Sequence, residues 1–341
     1  MKAFVIEGPR RGVVRDIPTP APQEGEILIK VAAAGLCGTD GHIYLGDFFA
    51  SYPRVPGHEF AGVVAGVGSG VKRYREGQRV VADPNIFCEK CDYCKRNVQN
   101  FCQDFQASGV TRDGAFAEYV VVPEASVFAV GEMGFATAAM VEPLACVVYG
   151  QQRARLELGA PVLIFGAGPI GLLHLQLAKV NGAPFVAIGD LREERLALAR
   201  ELGADLTFLN GAETRRELGE RFPEGFETVI DTTGVARVVE AAIPYVRNAG
   251  TLLVFGVCPN DSRISLNPYE IYRRDLRIVG SFALKKTFQP AINLLQNGMI
   301  EVGRLIGDRI ALEGLPGQLK SLVTGKTRLK TLVFPGGTDA E

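Results

Sequence analysis

Val162-Leu-Ile-Phe-Gly166-Ala-Gly168-Pro-Ile-Gly171 is the stretch that decides the fold. A short apolar run leads into three glycines at spacings of two and three, and Ile170 to Val180 then reads as a helix. Strand, glycine turn and helix in that order form the unit that receives a pyrophosphate. The first glycine makes the tight turn, the second lets the backbone approach the phosphates, and the third allows helix and strand to pack closely. The alternation continues outward: Val186 to Gly189 as strand, Glu193 to Leu202 as helix, and Thr228 to Asp231 as strand. Ala236 to Val246 then reads as helix, and Thr251 to Phe255 and Leu276 to Gly280 as strands. Such a rhythm predicts a doubly wound parallel sheet.

Gly166, Gly168, Pro169, Ile170 and Gly171 are therefore the cofactor-binding residues, with the helix N-terminus facing the phosphates. Asp190 closes the second strand, 19 residues beyond Gly171. A carboxylate there accepts the ribose hydroxyls and repels a 2′-phosphate, which favours NAD over NADP. Arg192 and Arg195 stand close by and pull the other way, because a 2′-phosphate needs an arginine. An ordinary turn residue is the alternative for Asp190. His174, on the helix after the glycines, reads as packing rather than chemistry.

Upstream of Val130 the texture differs. Short β-type runs, Ile27 to Val31, Ala61 to Val67 and Phe116 to Val122, alternate with Gly and Pro, which predicts a β-barrel or sandwich. After Phe282 the βα rhythm stops, and a helix over Thr287 to Gln296 and a strand over Thr331 to Phe334 are placed back with the first domain. The 341 residues thus hold two domains. With 37 basic against 38 acidic residues there is no field to draw nucleic acid or anionic lipid, so a small molecule is the expected partner. The most membrane-like stretch, Pro161 to Val180, is broken by glycines and polar residues and reads as core. The start at Met1 lacks the pattern of a signal peptide, and seven cysteines without a targeting segment point to the cytoplasm.

Four of those cysteines, Cys88, Cys91, Cys94 and Cys102, are spaced x2, x2 and x7. That is the pattern of a closed tetrahedral thiolate cage for a structural Zn²⁺. Iron–sulfur ligation fits poorly, since its fourth cysteine follows closely and precedes proline, whereas Gln103 follows Cys102. A disulfide pair is the other alternative, and it needs an oxidising compartment.

Cys37 in Gly35-Leu-Cys-Gly-Thr39-Asp40-Gly-His42, and Gly57-His58-Glu59, are the remaining metal-competent groups of the first half. Each alone is ordinary. A buried cysteine is usually a small hydrophobe, Asp40 can be a helix cap, and His42 a solvated surface residue. Together with the cysteine lobe, Glu142-Pro-Leu-Ala and the glycine turn, their order resembles the zinc-dependent medium-chain alcohol dehydrogenases, over essentially the whole chain. In detail the chain looks most like the polyol (sorbitol or related sugar-alcohol) branch.

The resemblance implies a GroES-like β-barrel catalytic domain over 1–145 and 283–341, carrying the lobe at 88–102, and a Rossmann coenzyme domain over 146–282. It implies two zinc ions per chain. Cys37, His58 and Glu59 would hold the catalytic one, with Glu142 a ligand or linked through water; both glutamates can also be read as partners of the ligands. Asp40 would orient the ligating histidine, and Thr39 and His42 would carry the substrate proton outward. It also implies a homo-oligomer, a tetramer first and a dimer second.

The activity implied is hydride transfer between a secondary alcohol, a polyol or sugar alcohol, and NAD, giving the ketone. L-Threonine 3-dehydrogenase is the nearest alternative. Those enzymes carry a histidine three positions before the first lobe cysteine and Gly-Asn after the Glu-Pro-Leu motif, where this chain has Asn85 and Ala145-Cys146. Sorbitol enzymes place Arg-Tyr after the last sheet strand; this chain has Phe282-Ala-Leu284. Tyr44, Phe48 and Phe116 are candidates for lining the pocket. A protein that keeps NAD and zinc without turnover is the alternative of another class, and the complete set of roles from Cys37 to Glu59 argues against it.

Overall fold

The structure is a computed structural model describing residues 1–47, 51–209 and 212–337. The chain divides into two compact units, Met1–Ala145 with Lys285–Glu341, and Cys146–Leu284.

The first unit opens with the antiparallel hairpin β1 (Lys2–Gly8) and β2 (Arg11–Asp16). Its central strand is β3 (Glu26–Leu36), followed by helix α1 (Gly38–Leu45) and by β4 (Glu59–Val67), β5 (Arg79–Ala82), β6 (Tyr119–Pro123) and β7 (Val127–Ala129). The run read over Ile27 to Val31 is the first half of β3. Ala32, Ala33 and Ala34 extend it, because small side chains pack wherever the sheet is crowded. Phe116 lies before β6 rather than in it: its carbonyl accepts from Phe4 N and its N–H donates to Pro56 O.

In the second unit, β8 (Val162–Phe165), β9 (Val186–Asp190), β10 (Leu206–Leu209), β11 (Phe226–Asp231), β12 (Val246–Val254) and β13 (Arg277–Gly280) form one all-parallel sheet. Its order is β10-β9-β8-β11-β12-β13, so the strands wind outward in both directions from β8. That is the doubly wound arrangement, and its reversal point lies at the carboxyl end of β8, where the glycines are. The helix expected from Ala236 to Val246 stops at Ala242. Pro244 has no N–H to continue it, so the chain tightens into a 3₁₀ turn, Ile243–Tyr245, and Val246 already belongs to β12.

The chain then returns to the first unit through helix Phe288–Gln296, β14 (Ile306–Ile310), helix Leu315–Val323 and β15 (Lys330–Val333). The sheet there runs β14-β15-β3-β4-β5-β7, with β6 also paired to β3. Thr331 sits opposite Leu36 and Glu59 opposite Gly35, so β15 and β4 flank the end of β3. The strand β14 and the helix after it are elements for which the sequence carried no expectation. Among the described residues no helix is long and apolar enough to cross a membrane.

His174 is fully buried, with its ring edge-on to Phe255 at 4.7 Å. The Gln151 amide lies 3.4 Å from Nδ1 and donates to the His174 carbonyl at 2.9 Å. Burial with no facing charge pushes the imidazole pKa down to about 3, so the residue is a neutral packing element. In the unfolded chain the same ring takes up its proton below about pH 6.5. Stability is therefore unaffected by this residue above that pH and falls as the pH drops toward 3. The expected slope from His174 is about 1.4 kcal/mol per pH unit. Between pH 7 and 4 the wild type should lose stability relative to His174→Leu as the pH falls; a melting-temperature difference that stays constant would show that the ring takes up its proton equally in both states.

Candidate active site and metal centres

The glycine turn has the geometry its spacing requires. Gly166 adopts φ +100°, and a Cβ there would meet the Thr232 hydroxyl; a Cβ on Gly171 would collide with the Gly166 carbonyl. Gly168 is the N-cap of the helix Pro169–Val180, with proline in its first turn. The Thr232 hydroxyl donates to Phe165 O at 2.9 Å, pinning the turn from the neighbouring strand, a role with no signal in the sequence. Asp190 is buried, and its carboxylate is held by backbone: Oδ2 accepts from Ala167 N at 2.7 Å, and Oδ1 from Leu191 N and Arg192 N at 2.8 and 3.0 Å. Arg195 Nη1 lies 3.6 Å from Oδ2.

The four lobe cysteines form one cluster whose sulfurs all lie within 4.8 Å of one another. Cys88 to Cys94 and Cys91 to Cys102 are each 4.0 Å apart. A disulfide needs about 2.05 Å, whereas sulfurs about 2.3 Å from a central ion in a tetrahedron stand about 3.8 Å apart. The disulfide alternative is therefore set aside. Backbone N–H groups of Cys88 and Cys91 donate to Cys102 Sγ and Cys88 Sγ, each at 3.3 Å.

Cys37 is the N-cap of α1, at the end of β3, and His58 and Glu59 stand at the start of β4 beside it. One donor atom from each lies within 4.8 Å of the others. Asp40 is fully buried and organises the group: Oδ2 accepts from Cys37 N at 2.9 Å and Oδ1 from Gly57 N at 3.2 Å, so both loops hang on one carboxylate. Its Oδ1 is 3.6 Å from His58 Nδ1, too far for a hydrogen bond, and that buried nitrogen has none. Burial pushes the His58 pKa down, but the Asp40 and Cys37 charges outweigh it and raise it well above the ordinary value. A pocket that pulls a proton onto a buried imidazole is one that a dication satisfies instead. The donor set of one sulfur, one imidazole and one carboxylate fits zinc.

Glu142, in the first turn of helix Val141–Ala154, is buried but lies outside that cluster. Thr39 follows Cys37 on α1, its hydroxyl 3.8 Å from the Cys37 sulfur. His42, one turn on, is partly exposed and meets Asp47 Oδ1 at 2.9 Å. Tyr44 and Phe116 are 6 % and 0 % exposed within the hydrophobic core, so they pack rather than line a pocket. Phe48 lies outside the described residues.

Sequence reasoning missed Lys330. This lysine opens the apolar strand β15, is 5 % exposed, and sets its Nζ 2.7 Å from Glu59 Oε1 and 2.6 Å from Oε2. Its third contact is Leu36 O at 3.2 Å. Burial pushes the ammonium pKa down, but the charges of Glu59, Cys37 and Glu142 more than offset this and raise it. A lysine heading a strand that is otherwise apolar was the signal available.

Comparison with known proteins agrees with this geometry. Residues 23–132 match the family model of the alcohol dehydrogenase GroES-like domain, and residues 169–297 that of the zinc-binding dehydrogenases. The chain belongs to the zinc-dependent medium-chain alcohol dehydrogenase family. It is an oxidoreductase with a GroES-like domain, a Rossmann domain and a nicotinamide cofactor, on the polyol-like branch. It is 41 % identical over 321 residues to D-altritol 5-dehydrogenase of Agrobacterium fabrum, covering 92 % of this chain and 93 % of that one. It is 38 % identical over 311 residues to D-arabinitol dehydrogenase 1 of Uromyces fabae, covering 90 % and 89 %. A zinc-binding dehydrogenase of Sinorhizobium meliloti 1021 bound to NADP superposes with a TM-score of 0.92 at 34 % identity, over 98 % of this chain and 99 % of that one. An Escherichia coli CFT073 alcohol dehydrogenase complexed with NADH gives 0.91 at 31 % identity over the same shares.

Removing one lobe ligand leaves three thiolates with an open position. Cys94→Ala should lose one zinc per chain by elemental analysis. Its melting temperature should fall by about 5–10 °C, on the order of 3 kcal/mol for a domain of this size.

Proposed function

We propose that this protein oxidises a secondary alcohol of a polyol or sugar alcohol to the ketone with NAD, and reduces the ketone in reverse. The observation that carries this reading is the convergence of Cys37, His58 and Glu59 in a chain that also builds a dinucleotide turn. Those three side chains would hold a zinc ion with a position open to substrate, while Glu142 adds charge without a direct bond. The ion supplies Lewis acidity that makes the bound hydroxyl acidic near neutral pH. Asp40 faces His58 Nδ1 at 3.6 Å and ties the loops of Cys37 and Gly57 together. Thr39 accepts the hydroxyl proton, and His42, one turn further and partly exposed beside Asp47, passes it toward solvent. A nicotinamide held at the glycine turn would supply the hydride acceptor. The names of the altritol and arabinitol relatives support a polyol substrate.

Asp190 supports NAD, since one lone pair of its Oδ2 remains for a ribose hydroxyl after three backbone donors are served. Arg195 supports some use of NADP, as does the NADP-bound relative. We place the protein in the cytoplasm, where the lobe thiolates stay reduced. A tetramer, with a dimer second, is the proposed assembly. The sheet edge β13 and the exposed Tyr269 and Tyr272 beside it offer a surface for self-association.

A panel of sugar alcohols, threonine and short alcohols with NAD and NADP, followed by NADH absorbance, tests the reading. Polyols with NAD should give the highest kcat/KM; turnover confined to threonine, or none on any alcohol, would overturn it. Cys37→Ser should lose one of two zincs and at least 100-fold in kcat/KM. Thr39→Val should lose about 100-fold in kcat with both zincs retained. Arg195→Ala should weaken NADP without weakening NAD, read as separate KM values.

A further inference from the structure

We propose that Lys330 is a positioning residue of the metal centre, which grips the Glu59 carboxylate from behind and limits how much negative charge that carboxylate delivers to the ion. This rests on the reading that Cys37, His58 and Glu59 hold a dication.

The argument starts from strand register. Glu59 on β4 lies opposite Gly35 on β3, and on the other side of β3 the pairing of Thr331 with Leu36 brings Lys330 level with Cys37. Glu59 and Lys330 belong to strands that are not neighbours, and any side chain at position 35 would stand between them. A Cβ on Gly35 would collide with Glu59 Oε2. The glycine therefore opens a gap over the central strand, and through it the ammonium reaches both carboxylate oxygens at 2.6 and 2.7 Å. Leu36 O, at 3.2 Å, holds the ammonium in place and is part of the backbone that leads directly into Cys37.

The charge balance then decides what the contact does. Cys37, Glu59, Asp40 and Glu142 place up to four negative charges around one dication, and the buried lysine is the cation set against Glu59. A carboxylate whose Oε1 accepts from an ammonium, with Oε2 in ion-pair contact at 2.6 Å but without a hydrogen bond of its own, donates less charge to a metal, leaving the ion more electrophilic toward a hydroxyl. Without the ammonium, Glu59 is free to turn fully to the ion. The ion is then held more tightly and activates substrate less. A purely structural ion pair would produce the opposite result, because a loosened site releases its metal faster.

The test uses the zinc-loaded enzyme and Lys330→Met, Lys330→Arg and the double variant Glu59→Gln/Lys330→Met. Release of the second zinc to pyridine-2,6-dicarboxylate should slow at least tenfold in Lys330→Met and stay within about threefold of wild type in Lys330→Arg. The visible bands of cobalt(II)-exchanged Lys330→Met should shift, and its kcat/KM–pH profile should move alkaline by about one unit. Unchanged or faster metal release in Lys330→Met, with an unshifted cobalt spectrum, would overturn the proposal. If Lys330→Met fails to fold, the double variant, which buries no lone charge, carries the test. It should release zinc faster than wild type because the carboxylate is gone; wild-type release would show that Glu59 and Lys330 do not act on the ion. Cys37→Ser separates the two readings: retention of both zincs there removes the metal centre itself, whereas loss of one zinc leaves Lys330 to be judged alone.

Discussion

One buried carboxylate, Asp40, ties the candidate site together. It accepts the N–H of Cys37 from one loop and that of Gly57 from another, and faces His58, so two ligand-bearing segments separated by twenty residues share a single anchor. A buried anion is costly unless its lone pairs are served, and here donors from both loops serve it. Any shift that moved one loop would orphan that charge. The sulfur and the imidazole therefore keep their relative positions through the backbone that this carboxylate holds.

The central strand β3 does the corresponding work for charge. It ends at Leu36, just before Cys37, pairs with β4 on one side and β15 on the other, and carries glycine where the side chains of those two neighbours must cross it. The small residues Ala32 to Gly35 lie beyond the run Ile27 to Val31 that reads as strand in the sequence. In the fold they are what makes close approach possible around the site, an instance of local propensity yielding to the needs of a functional centre.

The two metal centres contrast in how each is built. The lobe collects four sulfurs from a span of fifteen residues, so its spacing is nearly its structure. The other, candidate centre collects Cys37, His58 and Glu59 and the groups that hold them from the junction of β3 and α1, from β4 and from β15. Closed local cages need little from the rest of the chain, whereas a site with a free coordination position must be held rigid by elements distant in sequence. The cofactor turn belongs with the local group, since glycines at spacings of two and three carry their own geometry, and only the Thr232 pin comes from elsewhere.

What the sequence determined by itself was therefore whatever is local. The glycine turn and its strand and helix, the four-sulfur lobe, the parallel order implied by βα alternation and the packing role of His174 were all legible, since each depends on periodicity or spacing within a short window. Helix Ala236–Ala242 was read too long because apolar periodicity runs past Pro244, and β14 escaped because its residues alternate weakly. Only the tertiary structure decided that Tyr44 and Phe116 lie in the core, that Glu142 stands outside the donor cluster, and that Lys330 meets Glu59. Those facts depend on strand order and register between segments nearly three hundred residues apart, and burial and pairing at that range are set by packing that no local pattern records.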